Sequence, residues 1–295
     1  MRYRVAHTTV YEYSEPVTLS YNEARLLPRA CPNQQCPSAA LEIFPQPSDY
    51  REREDFFGNR VAYFSIRETH SIFSVTARSE ILIQPAEAPW ASQETGWETV
   101  RDTLWHLRDP QALDARQFAL PSQLVAADAA LAAYAAPSFQ PGRALLHAVH
   151  DLMQRIHTEF IFDADFTEIA TPLATVLAHR RGVCQDFAHL AIGCLRSQGL
   201  AARYVSGYIE NLPPPGQQKM VGADVSHAWF SVFVPDFGWM DFDPTNNQVP
   251  RDQHITTAWG RDYADVTPLK GVIFGGRHHA LKVSVEVERL DELNS

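Results

Sequence analysis

The period of the hydrophobic pattern changes along this chain, and the change limits the folds that are open to it. Over residues 1 to about 85, apolar and polar residues alternate, as in "YRVAHTTVYEY", and Gly58-Asn59 separates two apolar runs in "DFFGNRVAYFSIR". A Gly-Asn pair in this position is typical of a hairpin turn. From residue 97 to Gly199, apolar residues recur at helical spacing instead. Short strands joined by turns predict an N-terminal β-sandwich, and the helices that follow make the fold class α+β.

Three helices and a second group of strands are predicted in the later part of the chain. "RALLHAVHDLMQRIH" has a clear apolar face. In "TPLATVLAHRRG", Thr171 fits an N-cap, Pro172 fits the first helical position and Gly182 follows the end. "CQDFAHLAIGCLRSQG" is the third helix, with Gly199 as its stop. The strands "ARYVSGYIE", "HAWFSVFV", "WMDFD" and, as a closing strand, "HALKVSVEVERL" come after it.

Changes in composition divide the chain into three parts. The stretch "AEAPWASQETGW" has the composition of a linker, and the alanine-rich helical stretch after it ends at Pro137 and Pro141. We therefore predict a β-rich domain over residues 1–88 and a helical connecting segment over residues 89–140. A core that includes the closing strand is predicted over residues 141–295.

Charge and composition exclude several classes of protein. A net charge of −10 and a pI near 5.6 argue against nucleic-acid binding, which needs clustered lysine and arginine. No apolar run approaches the roughly 18 residues of a membrane span, and the first residues lack the apolar core of a secretion signal. Four cysteines are too few for a disulfide scaffold, and no second Cys/His pair accompanies Cys31 and Cys36. We expect a cytoplasmic protein without metal or cofactor that binds neither nucleic acid nor membrane.

A cysteine stands where the third helix begins, in "RRGVCQDFAHL". The first backbone N–H groups of a helix lack intrahelical acceptors and, together with the helix dipole, stabilise an anion such as a thiolate. Cys184 is therefore a candidate nucleophile, and its own N–H is a candidate donor to a developing oxyanion. The alternative is that Cys184 packs under the helix. Cys194 lies on the apolar side of the same helix, and we interpret it as part of the core.

A cysteine nucleophile needs a base and a group that orients the base, and one hairpin offers both. His227 begins the strand "HAWFSVFV", and Asp243 ends the next strand. If "VPDFG" is a five-residue loop, His227 lies one diagonal step from Asp243 on the same face, within side-chain reach. Asp241 shares this face but lies further from His227, and His189 points away from Cys184. The alternative is an ordinary surface hairpin.

The motifs "GVCQDFAHL", "ARYVSGY", "SHAWFSVFV" and "GWMDFDPTNN" together resemble the core of the transglutaminase-like superfamily, in the order cysteine, histidine, aspartate. The match is to the bacterial branch, which is often described as transglutaminase-like candidate cysteine proteases. At the front of the chain, "HTTVYEYSEPV", "NEARLLPR" and "DFFGN" resemble the β-rich N-terminal domain of that branch. The resemblance covers most of the chain and is weaker over residues 90–140.

The resemblance implies a papain-like core, with helices packed on an antiparallel sheet. It implies that Cys184 is the nucleophile, His227 the general base and acid, and Asp243 the carboxylate that orients the histidine. The expected cycle is attack by the thiolate on an amide carbonyl, formation of a thioester, and transfer to water or an amine. The sequence departs at Val183-Cys184-Gln185, where the animal enzymes have Gln-Cys-Trp, so the second oxyanion donor is unassigned.

Three functions are open at this point. The first is a cysteine peptidase or amidase that acts on a peptide or isopeptide bond of a peptide or protein substrate. The second is a protein-glutamine acyltransferase, in which Trp229, Trp239 and Trp259 could line an acceptor channel, although packing of the hairpin is the preferred interpretation of these residues. The third is a catalytically silent binding module. The intact cysteine, histidine and aspartate favour the first two, and we predict that hydrolysis dominates.

Overall fold

The computed structural model describes residues 1–85, 94–168, 171–210 and 226–290, so the boundary predicted at residue 88 lies outside the described residues. The strands are β1 (Arg2–Ala24), β2 (Gln34–Phe44), β3 (Asp49–Glu54), β4 (Arg60–Ile66), β5 (His70–Ile83), β6 (Ile161–Phe162), β7 (Arg181–Gly182), β8 (Ala202–Ile209), β9 (Ser226–Val234), β10 (Gly238–Phe242), β11 (His254–Gly260), β12 (Leu269–Gly275) and β13 (His279–Leu290). The helices are α1 (Trp97–His106), α2 (Pro110–Arg116), α3 (Ala129–Ala135), α4 (Leu145–Glu159), α5 (Leu173–His179), α6 (Cys184–Ser197) and α7 (Tyr263–Val266). No helix within these ranges is long and apolar enough to cross a membrane.

The long strand β1 organises an antiparallel sheet in the order β2-β5-β1-β4-β3. The first half of β1 lies between β5 and β13, and its second half lies between β4 and β12. Tyr11 and Tyr13 of the first half pack against a core to which the second half contributes Ala24, and which also contains Leu26, Ala62, Phe64, Ile66, Phe73, Val75 and Ala77. The α+β class and the N-terminal antiparallel sheet domain are therefore confirmed, although both halves of the domain share β1 and belong to one continuous sheet.

The predicted hairpin around Gly58-Asn59 is present between β3 and β4. Gly58 has a φ of +72°, a left-handed conformation that glycine adopts without strain. The carboxylate of Asp55 accepts hydrogen bonds from the backbone N–H groups of Phe57 and Asn59, both at 2.9 Å. Local turn chemistry is thus enough to specify this connection.

The closing strand of the chain lies in the N-terminal sheet. β13 runs antiparallel to β1, from the pair Arg2–Leu290 to the pair Tyr13–His279. β12 pairs with the second half of β1 in the same way. The backbone groups along one edge of β1 need partners, and the end of the chain supplies them. The segment predicted over residues 141–295 therefore contributes its last strands to the other domain.

The alanine-rich segment is helical, as predicted, but it is divided into α1, α2 and α3. Pro110 occupies the first turn of α2, and Asp109 caps this helix by accepting a hydrogen bond from the N–H of Ala112 at 3.0 Å. Asp128 caps α3 in the same way, through the N–H groups of Ala130 and Leu131. Each Asp starts a new helix because its side chain satisfies N–H groups that have no intrahelical acceptor.

The second sheet has the strand order β10-β9-β8-β11, and α6 packs against β8 and β9. The side chains of α4 and α6 meet those of this sheet in the largest core of the protein, whose fully buried members include Leu152, Ile156, Leu190, Leu195 and Phe230. Helices packed on an antiparallel sheet are the core architecture that the resemblance implied.

The ends predicted for α5 are wrong by a short distance. Pro172 is extended, with φ −61° and ψ 139°, so the helix begins at Leu173. Thr171 is not the N-cap; its hydroxyl instead accepts a hydrogen bond from the N–H of Glu168 at 2.9 Å. Arg180 ends the helix in the left-handed conformation, with φ 55°. Gly182 lies beyond this stop, in β7, where it has a different role in the site described next.

Candidate active site

Cys184 is the first residue of α6, as predicted, and its side chain is half-buried. Val183 before it is extended, and its N–H donates to the carboxylate of Asp186 at 2.8 Å. The hydroxyl of Thr167 donates to the same carboxylate oxygen at 2.6 Å. The Asp186 carboxylate thus fixes the turn that presents the cysteine, and the Cys184 N–H has no acceptor within the helix.

Gly182 leaves room for this arrangement. A Cβ at this position would lie 2.8 Å from both the Cβ and a carboxylate oxygen of Asp186, closer than carbon atoms approach in proteins. The glycine therefore permits close contact between the strand before Cys184 and the first turn of α6. It is needed at this point for packing rather than as a helix stop.

His227 and Asp243 come together on the hairpin of β9 and β10. Phe233 lies opposite Trp239 and Ser231 lies opposite Asp241, which is the register that a five-residue loop produces. His227 Nε2 is 2.8 Å from Asp243 Oδ2. The side chain of Asp243 is fully buried, and that of His227 is almost so. The contact inferred from the hairpin geometry is therefore present.

The electrostatics of these groups favour a charged histidine. Burial lowers the pKa of His227, but hydrogen bonds with Asp243 and with Cys184 outweigh it and raise the pKa to about 10. Burial likewise raises the pKa of Asp243, and hydrogen bonds from His227 and His254 more than reverse this effect, so that the pKa lies well below its ordinary value. His227 is therefore a cation beside a buried carboxylate in the folded protein.

Among the described residues, five donors point at the carboxylate of Asp243. Oδ1 accepts hydrogen bonds from the backbone N–H groups of Thr245 and Asn246, at 3.0 and 3.2 Å. Oδ2 is 2.8 Å from His227, 2.9 Å from His254 and 2.7 Å from the side-chain nitrogen of Asn246. Neither His254 nor Asn246 is predicted from the sequence. Asn246 follows Asp243 in "DPTNN", whereas no local pattern connects His254 with this site.

The neighbouring candidates have structural positions. Asp241 accepts hydrogen bonds from Trp229 Nε1, at 3.1 Å, and from the hydroxyl of Ser231, and so holds the hairpin. Cys194 is fully buried, and burial raises the pKa of its thiol to about 12. His189 is also buried, its Nε2 accepts a hydrogen bond from the N–H of Tyr263 at 3.1 Å, and burial lowers its pKa to about 4. The predicted core position of Cys194 is confirmed.

The three tryptophans are all engaged in packing. Trp229 is fully buried, Trp239 contacts Phe118 and Phe233 edge to face, and Trp259 lies between Arg29 and Arg203. The guanidinium carbons of these arginines are 3.2 and 3.7 Å from the centre of the Trp259 ring. These contacts agree with the preferred interpretation of the tryptophans.

Among the described residues, one group of side chains could hold a metal ion. It consists of His227, Asp243 and His254. Their ligand atoms lie within 4.8 Å of one another. The Nε2 atoms of His227 and His254 lie 2.8 and 2.9 Å from Asp243 Oδ2, which are hydrogen-bond lengths. A proton on each Nε2 accounts for both contacts. Hydrogen bonding therefore accounts for the whole group.

Comparisons with known proteins agree with this architecture. The model of the bacterial transglutaminase-like N-terminal region matches residues 3–82, and that of the transglutaminase-like superfamily matches residues 132–244. An uncharacterised protein of Mycobacterium bovis is 41% identical over 294 residues, which cover 97% of this chain and 92% of that protein. A protein-glutamine gamma-glutamyltransferase of Pseudomonas aeruginosa is 32% identical over 102 residues, covering 33% of this chain and 15% of that protein.

A solved structure has the same fold throughout. The crystal structure of a candidate cysteine protease from Cytophaga hutchinsonii covers 100% of this chain with a TM-score of 0.78, and this chain covers 92% of it. The two sequences are 22% identical, so the likeness speaks for the fold alone. With both family models matched in order and a relative that is 41% identical over nearly the whole chain, the chain belongs to the bacterial branch of the transglutaminase-like superfamily.

Proposed function

We propose that the protein is a cysteine-dependent hydrolase that cleaves a peptide or isopeptide bond through a thioester. The observation that carries this proposal is the position of His227, which is hydrogen-bonded to the buried Asp243 and whose pKa is raised in part by its interaction with Cys184, the first residue of α6. A structural cysteine needs no such partner. Asp243 acts by keeping the imidazole oriented and charged.

In the first half of the reaction, the Cys184 thiolate attacks the carbonyl carbon of the amide. The negative charge that develops on the carbonyl oxygen is stabilised by the Cys184 N–H and by the positive end of the α6 dipole. His227 gives its proton to the leaving nitrogen, the C–N bond breaks, and a thioester and a free amine result. His227 is then neutral and can act as a base.

In the second half, water attacks the thioester carbon and His227 takes a proton from the water. The C–S bond breaks, the acid leaves, and the thiolate and the imidazolium are restored. Asp243 stays ionised through both halves because its five hydrogen bonds stabilise the carboxylate.

A pair of cysteine variants tests this proposal. Cys184→Ala should lower hydrolysis of a library of quenched fluorescent peptides, including peptides acylated on lysine, by about 10³-fold or more while the fold is kept. Cys194→Ala removes a buried thiol of the same helix, so it should cost about 1–2 kcal/mol in the free energy of unfolding and leave turnover unchanged. Equal loss of turnover in the two variants at matched folding would contradict the assignment.

Transfer to an amine is a second candidate for the same site. Its support is the partial likeness to the protein-glutamine gamma-glutamyltransferase of Pseudomonas aeruginosa. Transfer requires a binding site that holds the amine against the thioester at high effective concentration. We expect hydrolysis to dominate when an acyl donor is given rising concentrations of a primary amine and the amide and acid products are counted by mass spectrometry. Saturable amide formation at sub-millimolar amine would make the protein an acyltransferase instead.

A further inference from the structure

Two histidines contact the same carboxylate oxygen in this site. His254 Nε2 is 2.9 Å from Asp243 Oδ2, and the side chain of His254 is 3% exposed. It comes from β11, on the far side of β8 from the hairpin that carries His227 and Asp243. We propose that His254 is a positioning residue, whose Nε2–H donates to Asp243 and holds this carboxylate ionised and directed at His227. The inference rests on the function proposed above.

The environment of His254 assigns its proton. Its Nδ1 is buried and has no hydrogen-bond partner among the described residues, whereas its Nε2 faces a carboxylate that has no proton to share. A proton on Nδ1 would therefore be an unsatisfied buried donor, and a proton on Nε2 is satisfied. The ring of Trp229 meets that of His254 edge to face, with centroids 5.1 Å apart, and fixes the plane of the imidazole. His254 is thus built as a fixed donor.

The strand that carries His254 is itself held in place. β11 is the outer strand of its sheet, and the side-chain amide of Gln34 covers its free edge. Gln34 Nε2 donates to the carbonyl of Thr256 at 2.7 Å, and the N–H of Thr256 donates to Gln34 Oε1 at 2.8 Å. Thr256 is two residues from His254, so the backbone beside the histidine has little freedom.

The effect of His254 reaches the cysteine through Asp243 and His227. The titratable groups around the carboxylate are His227 from β9, His254 from β11 and, beyond His227, Cys184 from α6. Asp241 on β10 is already bonded to Trp229 and Ser231. Without the His254 donor, the Asp243 carboxylate is less stabilised and its pKa rises. Asp243 then takes up a proton at a higher pH than in the wild type. At that pH, the His227 imidazolium that stabilises the Cys184 thiolate is lost.

The test compares a donor-free variant with a donor-keeping one. His254→Leu removes the Nε2–H, and His254→Gln places an amide nitrogen where Nε2 was. The rate of alkylation by iodoacetamide is measured from pH 4 to 9 on the Cys184 peptide by mass spectrometry, because Cys31, Cys36 and Cys194 are also free thiols. We expect His254→Leu to move the acidic inflection of this rate to higher pH by roughly one unit, because one hydrogen bond to the carboxylate is lost, and His254→Gln to follow the wild-type curve.

Two results would overturn the inference. A His254→Leu curve that superimposes on the wild type means that the donor has no effect, and a His254→Gln curve shifted as far as that of His254→Leu means that only packing matters. If His254→Leu does not fold, nitrogen NMR of the wild-type histidines tests the inference instead. The spectrum must show His254 protonated on Nε2, and a proton on Nδ1 instead refutes the inference. Alkylation needs no substrate. The inference about His254 can therefore fail while Cys184-dependent turnover persists, and turnover can be absent while the alkylation curves behave as expected.

Discussion

The carboxylate of Asp243 is the most strongly stabilised charge in the candidate site. It is fully buried, and burial alone would favour its neutral form. Backbone N–H groups of the turn after β10 bind Oδ1, and two histidines and Asn246 bind Oδ2. Burial lowers the pKa of His227, but its interactions with Asp243 and Cys184 outweigh this effect and raise the pKa to about 10. At the residue scale, the site is therefore an ion pair whose strength depends on pH.

Because of this ion pair, the free energy of unfolding should depend on pH. The pKa of His227 is raised from an ordinary 6.5 to about 10, so the folded state binds the proton more tightly than the unfolded chain does. The resulting stabilisation is fully present below pH 6.5 and is lost as the pH rises through about 10. Urea unfolding of the wild type and of His227→Gln should give a difference in free energy that shrinks over this window. His278→Gln, at an exposed position, is the control; a constant difference for His227→Gln would refute the ion pair.

At the scale of the element, the start of α6 depends on close packing before the helix. β6 and β7 form a short parallel pair, in which Ile161 lies opposite Arg181 and Phe162 lies opposite Gly182. This pair leads the chain directly into Val183 and Cys184. The carboxylate of Asp186 lies beneath Gly182 and binds the N–H of Val183. The position of Cys184 therefore depends on a glycine and an aspartate that do not themselves react.

Gly182→Ala should disturb the start of α6. The new Cβ would lie 2.8 Å from the Asp186 side chain, so the strand or the helix turn must shift. We expect a loss of about 1–3 kcal/mol in the free energy of unfolding and slower alkylation of Cys184. The matched control is Gly96→Ala, because a Cβ there would have its nearest neighbour at 3.5 Å, an ordinary contact, and should cost less than about 1 kcal/mol. Equal effects of the two changes would argue against a packing role for Gly182.

At the scale of the molecule, the N-terminal sheet and the core sheet meet along β11. Asn59 binds the backbone of Trp259 through both ends of its amide, at 2.8 and 2.9 Å, as Gln34 binds that of Thr256. Tyr3, Val5, Val285 and Val287 of the first sheet pack against Tyr208 and Ile255 of the second. The N-terminal sheet therefore supports the strand that brings His254 to Asp243, in addition to any part it takes in binding a substrate.

Gln34→Leu tests this support. The change leaves the N–H and the carbonyl of Thr256 without their side-chain partners in a buried place, so we expect the free energy of unfolding to fall by about 2–3 kcal/mol. Because β11 carries His254, alkylation of Cys184 should also slow at acidic pH. Gln35→Leu changes the exposed neighbouring glutamine and should alter neither quantity. If Gln34→Leu behaved like Gln35→Leu, the two sheets would be coupled in some other way.

The sequence by itself determined the features that depend on local rules. A five-residue loop sets which residues of a hairpin share a face, so the contact of His227 with Asp243 follows from loop length. The start of α6 at Cys184 follows from the change in period at that point. The end of α5 was misplaced, because Arg180 takes the left-handed conformation that the pattern assigned to a glycine.

The tertiary structure alone decided which strands that are distant along the chain lie side by side. A hydrophobic pattern indicates that one face of a strand is buried, but it carries no information about which other strand completes its hydrogen bonds. The pairing of β13 with β1, and of β11 with β8, therefore could not be inferred from the chain read in order. His254 follows Asp243 by eleven residues and contacts it only because of the order of the strands. For the same reason, its place in the site could be recognised only from the structure.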